Sequence, residues 1–104
     1  MKKIYNQIGL CYAAKKVVFG TDNITAGMKK KKVSLVIISS DASFNTQKLI
    51  QDKAKTYGIK VMLLNEFDDQ SISSAIGKDN IKVIGIKDKG FSRMIIKNVQ
   101  KYSL

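Results

Sequence analysis

The stretch Val33-Ser34-Leu35-Val36-Ile37-Ile38-Ser39, followed at once by Ser40-Asp41-Ala42-Ser43, decides the fold. Its apolar residues run on without alternating, so both faces of the extended segment Val33–Ser39 are apolar. Such a strand belongs in a sheet covered by helices on both sides. The polar tetrapeptide after it opens a helix. Phe44, Leu49, Ile50, Ala54 and Tyr57 read as its buried stripe, and Gly58 stands where a left-handed C-terminal cap belongs.

The neighbouring segments alternate in the same way. Upstream, Thr21 or Asp22 can cap a short helix to about residue 30, with Ile24 and Met28 inward. Before it, Val17-Val18-Phe19 reads as a strand that Gly20 ends, and Ile4, Ile8, Cys11 and Tyr12 recur at helical spacing over roughly residues 3–14. Downstream, Ile59–Leu64 is a strand. Asp68 or Asp69 caps a helix with Ile72, Ala75 and Ile76 inward, which Gly77 closes. Ile81–Ile86 is the last strand, and Phe91, Met94, Ile95 and Val99 mark a final helix. The order α-β-α-β-α-β-α-β-α predicts an α/β protein, a three-layer α/β/α sandwich. Strands separated by helices point to a mainly parallel sheet. With no repeat, linker or proline, residues 1–104 are expected to form one domain.

Composition narrows the chemistry. The chain lacks histidine and has one cysteine, Cys11, which excludes an intramolecular disulfide, a cysteine-rich metal site and any Ser-His or Cys-His nucleophile. Cys11 lies on the inward stripe of the first helix and reads as a core residue. No catalytic residue, metal site or cofactor is read. Nineteen Lys+Arg against eight Asp+Glu give a net charge of +11, a surface that attracts polyanions. A lysine-rich composition alone produces the same excess. The longest apolar run, Leu35–Ile38, is far too short to span a bilayer, and a cytoplasmic protein is expected.

Three constellations carry possible chemistry. The block Lys29-Lys30-Lys31-Lys32 ends the second helix and can contact phosphates, with Lys15, Lys16, Lys78 and Lys82 adding charge on loops; a solvated helix end looks the same. Gly20-Thr21-Asp22-Asn23 opens that helix, where Asp22 and Asn23 can pair with base edges; an ordinary helix cap also accounts for them. Gly77-Lys78-Asp79-Asn80-Ile81-Lys82 offers a turn, two cations and an amide, without the spacing of a Walker sequence. Asp41, after the central strand, imitates a phospho-acceptor aspartate, but the acidic cluster that would hold magnesium is missing. Phe19, Phe44, Phe67 and Phe91 sit at core phase, which argues against a base-stacking platform on the sheet.

In order along the chain, several segments resemble the kink-turn RNA-binding ribosomal-protein family, which includes the large-subunit seven-Ae and thirty-e types. They are Ile8-Gly9-Leu10-Cys11-Tyr12-Ala13-Ala14-Lys15-Lys16-Val17-Val18-Phe19-Gly20, Val33–Ser40, Asp41-Ala42-Ser43-Phe44-Asn45-Thr46, Ser74-Ala75-Ile76-Gly77-Lys78 and Asp88-Lys89-Gly90-Phe91. The resemblance implies a four-stranded mixed sheet whose last strand runs antiparallel to the others. It also implies that RNA meets the loop after the first strand, the second helix, the start of the third helix and the loop before the last strand. Where kink-turn binders carry Gly-x-Asn-Glu-x-x-Lys, this chain has Gly20-Thr21-Asp22-Asn23-Ile24-Thr25-Ala26. Asp22, Asn23 and Ala26 thus replace the Asn, Glu and Lys of that pattern.

The expected site is therefore Gly20, Asp22 and Asn23 on base edges, with Thr21, Asp41, Gly77 and Asn80 beside them and Lys15, Lys16, Lys29, Lys30, Lys78 and Lys82 on phosphates. The expected partner is ribosomal RNA or a kink-turn transcript, with the ribosome or translation and transcription proteins nearby, no membrane, and a monomeric chain. The alternative is a protein–protein interaction module that uses the same basic face.

Overall fold

The computed structural model describes residues 2–64 and 71–102. Among them the elements alternate as α1 (Lys2–Ala13), β1 (Val17–Phe19), α2 (Thr21–Lys29), β2 (Leu35–Ser39), α3 (Phe44–Tyr57), β3 (Lys60–Leu64), α4 (Ile72–Ile76), β4 (Val83–Ile86) and α5 (Lys89–Tyr102). The sheet order is β1-β4-β2-β3. β2 and β3 are parallel, with Ile37 beside Met62. β4 lies between β1 and β2 and is antiparallel to both: Ile84 has Phe19 on one side and Ile37 on the other.

The mainly parallel sheet expected from strands separated by helices is thus corrected at β4, and the mixed sheet is present. The length of α4 explains it. Five residues rise about 8 Å, too little to carry the chain back along the sheet and start a parallel strand. The chain re-enters the sheet at the end where β3 left it, because Val83 pairs with Ile38 while Leu64 pairs with Ser39.

Alternation along β2 builds a core on each face. Leu35 and Ile37 join Ile4, Ile8 and Cys11 of α1, Ile72 and Ile76 of α4 and Ile95 of α5. Val36 and Ile38 join Ile24 and Met28 of α2 and Ile50 and Ala54 of α3. α2 sits close to the sheet because Val33 wedges between two glycines: a Cβ on Gly27 would lie 2.6 Å from Val33 Cγ2, and one on Gly85 would lie 3.1 Å from Val33 Cγ1. This contact fixes the tilt of α2 and hence the position of its first turn.

Other local expectations are also revised. Phe44 and Leu49 are not in the buried stripe of α3: they are 77% and 41% exposed, whereas Ile50 and Ala54 are buried. The N-cap of α2 is Gly20, with no side-chain capping bond, so neither Thr21 nor Asp22 caps it. The N-cap of α4 is Ser71, whose hydroxyl accepts from the Ser74 N–H at 3.0 Å; Asp68 and Asp69, like Phe67, lie outside the described residues.

Helices α1 and α2 end alike, each with a lysine in the left-handed region. Lys15 (φ 61°) and Lys16 donate their N–H groups to the Tyr12 and Cys11 carbonyls. Lys31 (φ 59°) and Lys32 donate to the Met28 and Gly27 carbonyls. This Schellman arrangement usually has glycine at the left-handed position, as at Gly58 and Gly77 here. A lysine there costs about 1–2 kcal/mol. Lys31 offsets part of that cost, since its ammonium donates to the Tyr57 carbonyl at 2.8 Å and caps α3. Lys15 has no side-chain partner among the described residues.

Candidate nucleic-acid interface

The strand register sorts the expected site residues onto two opposite ends of the sheet. At one end, β1 and β2 finish and β4 begins, bringing together the loop at Gly20, the segment Ser40–Thr46 and the segment Lys78–Lys82. An open groove of about 250 Å³ lies among them, lined by Phe19, Gly20, Thr21, Thr46, Asn80 and Ile81 together with Lys82 and Val83.

Gly20 has φ 94° and ψ 125°, a conformation that a side chain would strain, and a Cβ there would also meet Asn23 Nδ2 at 3.4 Å. The turn delivers Asp22 and Asn23, both exposed, in the first turn of α2. Asn23 Nδ2 donates to the Phe19 carbonyl at 3.2 Å, which fixes the amide and leaves its oxygen outward as an acceptor. The Asp22 carboxylate has no hydrogen-bond or ion-pair partner among the described residues. The first N–H bonded inside the helix is that of Ile24, to Gly20.

Across the groove, Asp41 is held on both sides. Its carboxylate accepts from Lys82 Nζ at 2.8 Å and from the Ser39 hydroxyl. The Lys82 bond first and the Ser39 bond second hold the carboxyl below its usual range. Lys82 is therefore a partly neutralised cation. The loop before β4 is pinned by Ser73, whose hydroxyl accepts from the Ile81 N–H at 2.7 Å, and turns at Asn80 (φ 58°), a residue type that tolerates this region. Gly77 (φ 69°) ends α4, and Lys78 follows it with its ammonium 5.7 Å from the Phe19 ring centroid and 6.0 Å from that of Tyr12.

The structure brings Gly20, Thr21, Asp22, Asn23, Asp41, Gly77, Lys78, Asn80 and Lys82 to this end. It does not bring Lys15, Lys16, Lys29 or Lys30 there. Lys16 lies beside Lys87 at the start of β1, since its carbonyl accepts the Lys87 N–H at 2.8 Å. Lys29 and Lys30 lie at the far end of α2, about 14 Å of helix from Gly20.

Three residues near the groove are not among the expected site residues, although Phe44 and Thr46 lie at the start of the third helix, where the family resemblance implies RNA contact. Thr46 lines it, Ser73 pins its rim, and Phe44 opens α3 two residues before Thr46 with its ring in solvent. At 100° per residue, Phe44 stands about 113° from the mean direction of Ile50, Ala54 and Tyr57. Cys11 is fully buried, and burial pushes its thiol up to about 11, with the Asp88 carboxylate adding to the shift. It is a neutral core group at physiological pH. Among the described residues, no three His, Cys, Asp or Glu side chains gather to hold a metal ion, and no helix is long and apolar enough to cross a membrane.

Comparison with known proteins identifies the family. A protein named RNA-binding protein YlxQ from Enterococcus faecium is 36% identical over 92 residues, covering 88% of this chain and 86% of that one. The RNA-binding protein YlxQ of Bacillus subtilis (strain 168) is 33% identical over 89 residues, covering 86% and 87%. A Bacillus halodurans structure of unknown function superposes with a TM-score of 0.86 at 35% identity, covering 94% of this chain and 97% of that one. The Giardia lamblia 15.5kD RNA binding protein shares the fold, with a TM-score of 0.71 at 14% identity, covering 95% of this chain and 83% of that one. Residues 2–96 match the ribosomal protein L7Ae/L30e/S12e/Gadd45 family, and the chain belongs to that family.

Proposed function

We propose that the chain is a non-catalytic, cytoplasmic, single-domain protein that binds structured RNA at the groove end of its sheet. The observation that carries this reading is the groove that Gly20, Thr21, Thr46, Asn80, Ile81 and Lys82 line together, with Asp22, Asn23 and Lys78 close by in the flanking chain, in a chain whose relatives are named RNA-binding proteins. Neither Thr21 nor Asp22 is used as a cap, which removes the ordinary explanation for polar residues at the start of α2. The Asp22 carboxylate then accepts amino and imino protons from a base edge, and the anchored Asn23 amide presents its oxygen beside it. Lys78, held over two rings, meets a phosphate. Phe44 supplies a face on which an unpaired base stacks.

The finer target is a kink-turn, in ribosomal RNA or a transcript, whose sheared G·A pairs offer guanine edges to Asp22 and Asn23. A filter-binding titration tests this, comparing a kink-turn RNA with the same RNA carrying those pairs as Watson–Crick pairs. A tenfold preference, about 1.4 kcal/mol, is expected for the wild type, and Asn23→Ala should abolish it. Equal binding of both RNAs by the wild type refutes kink-turn reading.

A further inference from the structure

We propose that the end of the sheet opposite the groove is a second RNA-contacting face, which holds the phosphate backbone of a duplex without reading bases. The charge distribution carries the inference. Around the groove, Lys78 and Lys82 are outnumbered by Asp22, Asp41 and Asp79, and Lys82 is tied to Asp41. The excess of +11 is therefore not at the base-reading end.

Four chain segments bring it to the other end. Lys15 and Lys16 precede β1, the block Lys29-Lys30-Lys31-Lys32 leads into β2, Lys60 opens β3 and Lys87 follows β4. All of these lysines are exposed, and Asp88 is the single carboxylate in those segments among the described residues. Asp88 is itself engaged, accepting the Phe91 N–H at 2.9 Å at the start of α5. Adjacent strands lie about 5 Å apart, so like charges on neighbouring segments fall within a Debye length of about 10 Å, repel one another and weaken the folded state. Lys15 adds a second cost: it holds a left-handed conformation where glycine closes α3 and α4, and its ammonium has no partner among the described residues. Repulsion and backbone strain tolerated together at one pole are intelligible when a polyanion relieves the repulsion.

The chemistry of the face selects nucleic acid over an acidic protein. Stable protein interfaces centre on aromatic, apolar or arginine anchors and are poor in lysine. Here all but one of the cations come from lysines, the exception being Arg93 beside Ser34 and Lys89, and Phe44, the most exposed large apolar residue among those described, is at the other end. A phosphate backbone needs only cations at spacings that a row of side chains provides. The proposal rests on the RNA reading only in its choice of RNA as the polyanion.

The test uses the full chain and a plain RNA duplex lacking G·A pairs, with binding followed as a function of salt. Lys16→Gln, Lys30→Gln and Lys87→Gln are combined in one variant, because none of them holds a left-handed conformation. The expected result is binding weakened about tenfold or more at 0.15 M salt, with the slope of log K against log salt flattened by about 2–3. The variant should melt no lower than wild type, since it relieves repulsion. Lys15→Gly should raise the melting temperature while weakening duplex binding. Wild-type affinity and slope in the triple variant would overturn the proposal, and so would a wild-type chain that does not bind the duplex. If kink-turn preference fails but the triple variant still flattens the slope, the base-reading proposal falls and the second face stands.

Discussion

Replacing Phe44 by alanine separates binding from folding, and the structure sets both magnitudes. The ring is 77% exposed, so roughly a quarter of the 150–250 Å² that a phenylalanine can bury is lost, about 50 Å². At about 25 cal/mol per Å² this costs ~1 kcal/mol, of which alanine's better helix propensity returns about half. The melting temperature should therefore fall by less than about 5 °C. An RNA base stacked on the ring is worth about 1–3 kcal/mol, so affinity for the kink-turn RNA should drop roughly 5- to 150-fold. Phe44→Tyr should bind nearly as wild type, whereas Phe44→Leu, apolar without a π face, should behave like alanine. Thermal melting and filter binding on the same four proteins give both readouts. Affinity within twofold of wild type for Phe44→Ala refutes the stacking role, and a fall of 10 °C or more would show that the ring belongs to the core after all.

Two other perturbations probe how the groove is built. Gly27→Ala in an exposed helix would ordinarily stabilise by about 1 kcal/mol, but here the new Cβ meets Val33 Cγ2 at 2.6 Å, and Val33 is 1% exposed with Gly85 behind it. A net loss of about 1–3 kcal/mol is expected in urea unfolding, with Val33→Ala partly rescuing it by at least about 1 kcal/mol in a double-mutant cycle; strict additivity would show that the two do not touch. Asp41 tests the opposite rim by pH. Its carboxyl is held low by Lys82 and Ser39, so its contribution is complete above about pH 4, where the unfolded carboxyl is ionised, and is lost as pH falls through the lower folded value. Wild type should thus keep its stability advantage over Asp41→Asn above about pH 4 and lose it progressively as the pH falls further, and parallel pH profiles of the two proteins would contradict the ion pair.

What the sequence disclosed and what it hid follow one physical distinction. Periodicity reports which residues face a core, so Ile24, Met28, Ile50 and the whole of Leu35–Ile38 were placed correctly from spacing alone. It does not report direction. A strand entered through a five-residue helix runs backwards, and the sequence around β4 is as apolar as that around β2 whichever way it points. Periodicity alone accordingly predicts a mainly parallel sheet, and only the resemblance to a known family points the other way. Phe44 failed for a different reason: an aromatic residue at a helix start was counted as core because it is apolar, although its angle placed it outside the stripe. Gly20 was legible as the end of a strand, but its role as an uncapped helix start depends on a φ of 94° that the sequence does not print.

Charge shows the same limit more sharply, and here the structure changes the argument. Net charge is a sum over the surface, and a sum carries no position. Grouping Lys15, Lys16, Lys29 and Lys30 with the base-reading loops in one expected site treats two independent signals as one. Register separates them. Because β4 is antiparallel, the carbonyl of Lys16 pairs with the N–H of Lys87, while Ser39 pairs with Lys82 at the other end. The reading end is left locally acidic, with Asp22 unpaired among the described residues and Asp41 engaged by Lys82. A carboxylate at an RNA interface repels phosphates and attracts amino groups, so this end is suited to discriminate and poorly suited to hold. The opposite end has the complementary property. Affinity and specificity in this protein are therefore expected to respond to different residues, and variants such as Asn23→Ala and Lys30→Gln, at opposite ends of α2, should combine additively.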